Sequence, residues 1–111
     1  MRFCENESYI IISKKRQKVM YTLSAKLTFY IPYAISLKDK RQVRRSLIDK
    51  TRNKFNVSIA EVDTQDVLQT LTIGIAVVSG EIAHAQNSLD KIIRFMEGNS
   101  EDNGVELTAV E

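Results

Sequence analysis

The sequence has no Trp, one Cys, one Pro, one His and four Gly. Cys4 has no partner for an intramolecular disulfide, so a reducing cytoplasm is the expected compartment. Zinc and iron–sulfur sites need several Cys or His ligands at set spacings, and a single residue of each type cannot supply them. Nucleophilic catalysis needs Ser or Cys beside a base. His84 stands alone on a predicted helix and reads as a surface imidazole, and Cys4 lies in an irregular leader. The glycines form neither G-x-G-x-x-G nor G-x-x-x-x-G-K, so no phosphate-cradling loop is expected. No apolar run approaches the roughly 20 residues of a membrane-spanning helix. A secretory signal is also not expected: the apolar stretch Tyr9 to Ile12 is short, and basic residues follow it rather than precede it. These shortages predict no cofactor, no metal site, no membrane contact and no enzymatic activity.

Charge is abundant and unevenly placed. From Lys38 to Lys54 there are eight basic and two acidic residues, whereas from Phe55 to Glu111 there are two basic and ten acidic residues. The whole chain nets only +2. A concentrated positive segment on an acidic domain attracts polyanions. A solvated helix face drawn to its own acidic neighbours has the same composition. The acidic group Glu61, Asp63 and Asp66 raises a similar choice. It can hold Mg²⁺, or it can pair with Lys40, Arg41 or Arg44, which is the preferred expectation.

Hydrophobic patterning begins at Met20. Met1 to Val19 is expected to be a flexible leader or an upstream-start extension, with residues 20–111 forming one domain. From Tyr21 to Ile31, Leu23, Ala25, Leu27, Phe29 and Ile31 alternate with polar residues, the period of a half-buried strand. Pro32 ends it. Ser36-Leu-Lys-Asp39 has capping-box spacing. Beyond it, Leu37, Val43, Leu47, Ile48, Thr51 and Phe55 share one arc at about 100° per residue. Lys38, Arg41, Arg45 and Arg52 line an edge of that arc, while Lys40 and Arg44 fall inside it. Residues 56–63 and 67–79 read as antiparallel strands, with a bulge expected near Ala60-Glu61. Glu81 to Glu97 reads as a second amphipathic helix capped by Ser79 and stopped by Gly98. Residues 99–104 read as a loop and Val105 to Val110 as a last strand.

The order β-α-β-β-α-β predicts an α+β, ferredoxin-like two-layer sandwich. It has a four-stranded antiparallel sheet and both helices on one face. The open face would present Ser24, Lys26, Thr28, Tyr30, Thr70, Thr72, Gly74, Ala76 and Val78. One aromatic among them does not make the base-stacking platform of an RNA-recognition motif, and a KH-type G-x-x-G clamp is absent.

Ser36-Leu-Lys-Asp-Lys-Arg41, Ser46-Leu-Ile48, Phe55-Asn-Val-Ser-Ile-Ala-Glu-Val62, Gln65-Asp66 and Gly74-Ile-Ala-Val-Val-Ser79 together resemble the YlxP-like bacterial family, domain of unknown function 503. The likeness runs from about Met20 to the C-terminus. It implies the ferredoxin-like fold and a start near Met20. It also implies a genomic setting beside translation genes, which is association rather than mechanism. The family often places Trp after the Gln-Asp pair, where this chain has Val67-Leu68. The resemblance brings no catalytic residues.

Two functions follow as expectations. The first is a non-enzymatic ribosome- or RNA-associated accessory factor. Lys38, Lys40, Arg41, Arg44, Arg45 and Arg52 would engage phosphates, with the helix N-terminus at Ser36 as a further anion site. The second is a homo-oligomeric ligand-sensing or scaffold module, a homodimer packed through the open sheet face.

Overall fold

The structure is a computed structural model that describes residues 19–111. Cys4 and the expected leader, Val19 excepted, lie outside the described residues. Six elements follow in order: β1 (Tyr21–Tyr30), α1 (Leu37–Lys54), β2 (Ser58–Asp63), β3 (Thr70–Ser79), α2 (Ile82–Asp102) and β4 (Glu106–Val110). The sheet order is β2-β3-β1-β4, with every neighbouring pair antiparallel. Each helix joins two strands that flank a third, which is the ferredoxin-like α+β arrangement.

The central pair sets the core. β1 and β3 pair without interruption from Tyr21↔Ser79 to Tyr30↔Thr70. The register places Ala25, Leu27 and Phe29 beside Ile75, Ile73 and Leu71, all buried. Strict alternation in both strands makes this register costly to slip, because a one-residue shift would turn the apolar row to water. Ala85, Ile92 and Met96 of α2 and Leu47 of α1 complete the buried layer. Burying each of the larger aliphatic side chains contributes about 1.5–3 kcal/mol.

Several predicted boundaries shift. β2 starts at Ser58, and its irregularity falls between Glu61 and Asp63, one to two residues later than expected. β3 starts only at Thr70, because residues 64–69 are committed elsewhere. Gln69 O accepts the Ile31 N–H at 2.9 Å, and the Gln69 amide donates to Pro32 O and Ala34 O at 3.1 and 3.3 Å.

Gly98 does not stop α2. The helix runs through it to Asp102, and residues 99–102, expected as loop, are helical. Ser100, one turn past Met96 on the inner face, is buried and donates to Glu97 O at 2.8 Å. The end signal is Gly104, at φ +74. Gly104 N–H bonds Glu101 O at 3.1 Å, and Val105 N–H bonds Ser100 O at 2.9 Å. This is a Schellman closure with buried Val105 as its apolar anchor. At the other end Glu81, not Ser79, is the N-cap residue. Ser79 Oγ still accepts the Glu81 N–H, at 3.1 Å.

Candidate functional site

Helix α1 opens at Ser36 as expected, but only half of the capping box forms, because Asp39 reaches the residue before the cap. Ser36 Oγ accepts the Asp39 N–H at 3.2 Å, and Asp39 Oδ2 accepts the Ile35 N–H at 3.0 Å. The Asp39 carboxylate, one turn into the helix, thus already compensates the positive pole at Ser36. Along the helix Leu47 and Thr51 are buried, and Thr51 Oγ1 satisfies itself on Leu47 O at 2.7 Å.

The six cations expected to meet phosphates divide by position. Lys40 is 2% exposed, so its assignment as a phosphate ligand is corrected. Its ammonium donates to Thr64 O and to Val67 O, the latter at 2.7 Å, and lies 3.2 Å from Glu61 Oε2. Arg44 Nη1 donates to Glu61 Oε1 at 3.2 Å. Glu61 shares the inward parity of Ile59, and its side chain is only 10% exposed. The Glu61 Oε2 contact to Lys40 is close but poorly aligned for a hydrogen bond, so the attraction there is mainly Coulombic. The buried charges are tolerable because the two cations share one carboxylate and two carbonyls. The expected pairing of Lys40 or Arg44 with the hairpin acids is therefore present, with Glu61 as the partner.

Thr64 makes this cluster possible. It takes φ 60, an unfavourable conformation for a β-branched residue. Its N–H donates to Asp63 Oδ1 at 2.8 Å, and its hydroxyl lies 3.0 Å from Thr72 Oγ1. This fold-over buries Thr72, although its register faces the open side of the sheet. Asp63 and Asp66 stay exposed while Glu61 turns inward. Among the described residues no three His, Cys, Asp or Glu side chains converge as metal ligands.

Lys38, Arg41, Arg45 and Arg52 are exposed. None of the four has a carboxylate within ion-pair distance among the described residues. Arg52 Nη2 donates to Ile59 O at 3.1 Å, which holds its guanidinium beside β2. Asp49, also exposed, interrupts the row. Lys54 belongs elsewhere: its ammonium lies 5.3 Å from the Phe95 ring centre, beside the edge-to-face Phe55–Phe95 pair.

The model of the family described as "Protein of unknown function (DUF503)" matches residues 22–111. The chain belongs to this family. It is also similar to the uncharacterized protein YlxP of Bacillus subtilis (strain 168), at 39% identity over 62 residues, 56% of this chain and 67% of that protein. The family match takes in all six elements of the DUF503 fold described above, apart from Tyr21 at the start of β1. No described helix is long and apolar enough to cross a membrane.

His84 of this DUF503 domain is exposed, with Nδ1 3.1 Å from Ser79 Oγ. That hydroxyl already takes the Glu81 N–H at the start of α2, so the contact belongs to helix capping.

The open sheet face holds a shallow concavity of about 410 Å³ across β2, β3 and β1. Its floor is made by Ser24, Ala60, Gly74 and Ala76, with Val62 at one side. Gly74 is required there, because a Cβ would sit 2.8 Å from Val62 Cγ1. Tyr30 is the aromatic of this face on the central strands.

Proposed function

We propose that this domain is a non-enzymatic cytoplasmic factor that binds the sugar–phosphate backbone of structured RNA, as on a ribosomal subunit, through one flank of α1. The observation that carries this reading is the exposed row Lys38, Arg41, Arg45 and Arg52, which has no carboxylate partner among the described residues. Neutralising Lys40 and Arg44 internally fixes the helix against β2, so the outward cations stand on a rigid support. Arg41 and Arg45 are one helical turn apart, a rise of about 6 Å. Small side chains on the open sheet favour backbone contacts over base stacking. Ser36 contributes through helix orientation rather than as an anion site, since Asp39 stands at the same pole.

The test is co-sedimentation of the purified domain with ribosomal subunits at low salt, beside a variant carrying Arg41→Glu, Arg45→Glu and Arg52→Glu. The wild-type domain should sediment with subunits and the variant should not, with both showing the same circular dichroism. A wild-type domain that stays in the supernatant rejects the proposal.

A second reading has its own observation. Val62 and Val78 are 50% and 62% exposed on the open face, beside the shallow concavity. These favour a second copy packed sheet to sheet, giving a homodimeric scaffold or ligand-sensing module. Val78→Glu should then convert dimer to monomer in analytical ultracentrifugation, and the arginine variant should not.

A further inference from the structure

A cavity of about 170 Å³ opens between the start of α1 and the end of α2, on the opposite flank of α1 from the basic row. Its apolar floor is Val43, Leu47 and Val105. Asp39, Gln42, Ser46 and Asn99 supply polar side chains to its wall. Tyr33 closes one side, fixed by its hydroxyl donating to Asn103 O at 3.2 Å. One oxygen of Asp39 is used by the Ile35 N–H, leaving the other free among the described residues. The side chains of Gln42, Ser46 and Asn99 have no hydrogen-bond partner in the described part of the protein, although they converge on one space. Convergent polar groups over an apolar floor are the ordinary design of a small-ligand site.

The electrostatics select the ligand. No cationic side chain lines the cavity, and Asp39 supplies a carboxylate. The negative pole of α2 ends at the same place, and the last turn of that helix has no basic residue. Glu101 and Asp102 stand in that turn, where like charge meets the helix dipole unfavourably. The positive pole of α1 at the same mouth is met by Asp39, so the bias toward a cation comes from the uncompensated end of α2. A cavity of this size, open to solvent on one side, suits a small fragment.

We propose that this cavity binds a small primary amine. Its ammonium would be held by Asp39, Ser46 and the Asn99 side-chain carbonyl, and its short carbon chain would lie on Val43, Leu47 and Val105.

The probe is 1,4-diaminobutane, titrated into the full chain at physiological salt and followed by the side-chain amide NMR signals of Gln42 and Asn99. Neutral 1,4-butanediol and anionic succinate, of matched length, are titrated alongside. Saturable shifts should appear with the diamine, at an affinity about tenfold or more above that for the diol, the scale of one charge-assisted hydrogen bond. Asp39→Asn keeps an acceptor for the Ile35 N–H and should weaken the diamine by a similar factor. Ser46→Leu should fill the cavity and abolish the shifts. Thermal melts establish that each variant is folded, and if one is not, the other decides. The proposal is overturned if the diamine gives no saturable shift, if the diol binds equally, or if diamine affinity survives in a folded variant. That last result would place the amine on the outer acids of α2.

Discussion

Lys40 is the residue whose removal should be felt most. Its ammonium links α1 to the 64–67 turn and to Glu61 at once. Lys40→Met leaves two carbonyls without their donor and Glu61 with Arg44 alone. Removing one partner of a buried pair costs about 3–5 kcal/mol. The retained Arg44 places this case at the lower end, about 3 kcal/mol, or a fall of roughly 12 °C or more in the melting midpoint of a domain this size. Lys40→Met combined with Glu61→Leu should recover only the share of that loss due to the under-paired carboxylate, because the Thr64 and Val67 carbonyls stay without a donor and Arg44 loses its partner. A double variant less stable than the sum of the single changes would show that the charges are not the source of the effect. Gly74 gives a second residue-scale test. Gly74→Ala drives a methyl into Val62, whose branched side chain has few rotamers to escape into. Denaturant melts should show a loss of about 1–3 kcal/mol, the usual cost of overpacking, reduced when Val62→Ala is added.

At the scale of elements, the interior and the end of α2 separate what the sequence declares from what it conceals. The alternation of β1 and β3 and the apolar arcs of both helices, exposed Leu37 excepted, were legible, because each is a local period that burial on one side enforces. The end of α2 was not. Gly98 looks like a stop, yet a helix-interior glycine costs only about 1 kcal/mol relative to Ala. Burial of Met96 and Ser100 carries the helix past it. Gly104 with Val105 supplies the stronger signal, six residues on. The two glycines should therefore respond oppositely. Gly98→Ala, with nothing within 4 Å of the new methyl, should raise stability by about 0.5–1 kcal/mol. Gly104→Ala should lower it by about 1–2 kcal/mol, the cost of a left-handed conformation with a Cβ. Thermal melts that moved in the same direction would contradict this helix boundary. The late start of β3 was hidden for a different reason: Lys40 is held by backbone carbonyls of Thr64 and Val67, and carbonyls leave no mark in a sequence. The pairing of Lys40 and Arg44 with a hairpin acid was legible, since two cations inside an apolar arc require a carboxylate. That it would be Glu61 depends on the bulge after it, which turns Asp63 outward.

For the whole molecule, the uneven charge of the sequence becomes a division between cations spent inside and cations left outside. Lys40 and Arg44 hold the layers together, Lys54 covers two aromatic rings, and Lys38, Arg41, Arg45 and Arg52 face solvent. The outer row was legible from helical periodicity. The amine-sized cavity was not, because its walls come from residues about 60 positions apart and meet only in the fold. The central claim is that the outer row meets phosphates. It is tested most directly by the slope of log affinity against log salt for a structured ribosomal RNA fragment. Each phosphate contact contributes about 0.7–0.9 to that slope, so Arg41→Ala and Arg45→Ala should each lower it by that amount, irrespective of RNA sequence. Arg44→Ala, whose guanidinium is engaged with Glu61, should leave the slope nearly unchanged after its stability loss is allowed for. A wild-type affinity that does not vary with salt, or a slope untouched by Arg41→Ala and Arg45→Ala, would contradict the account.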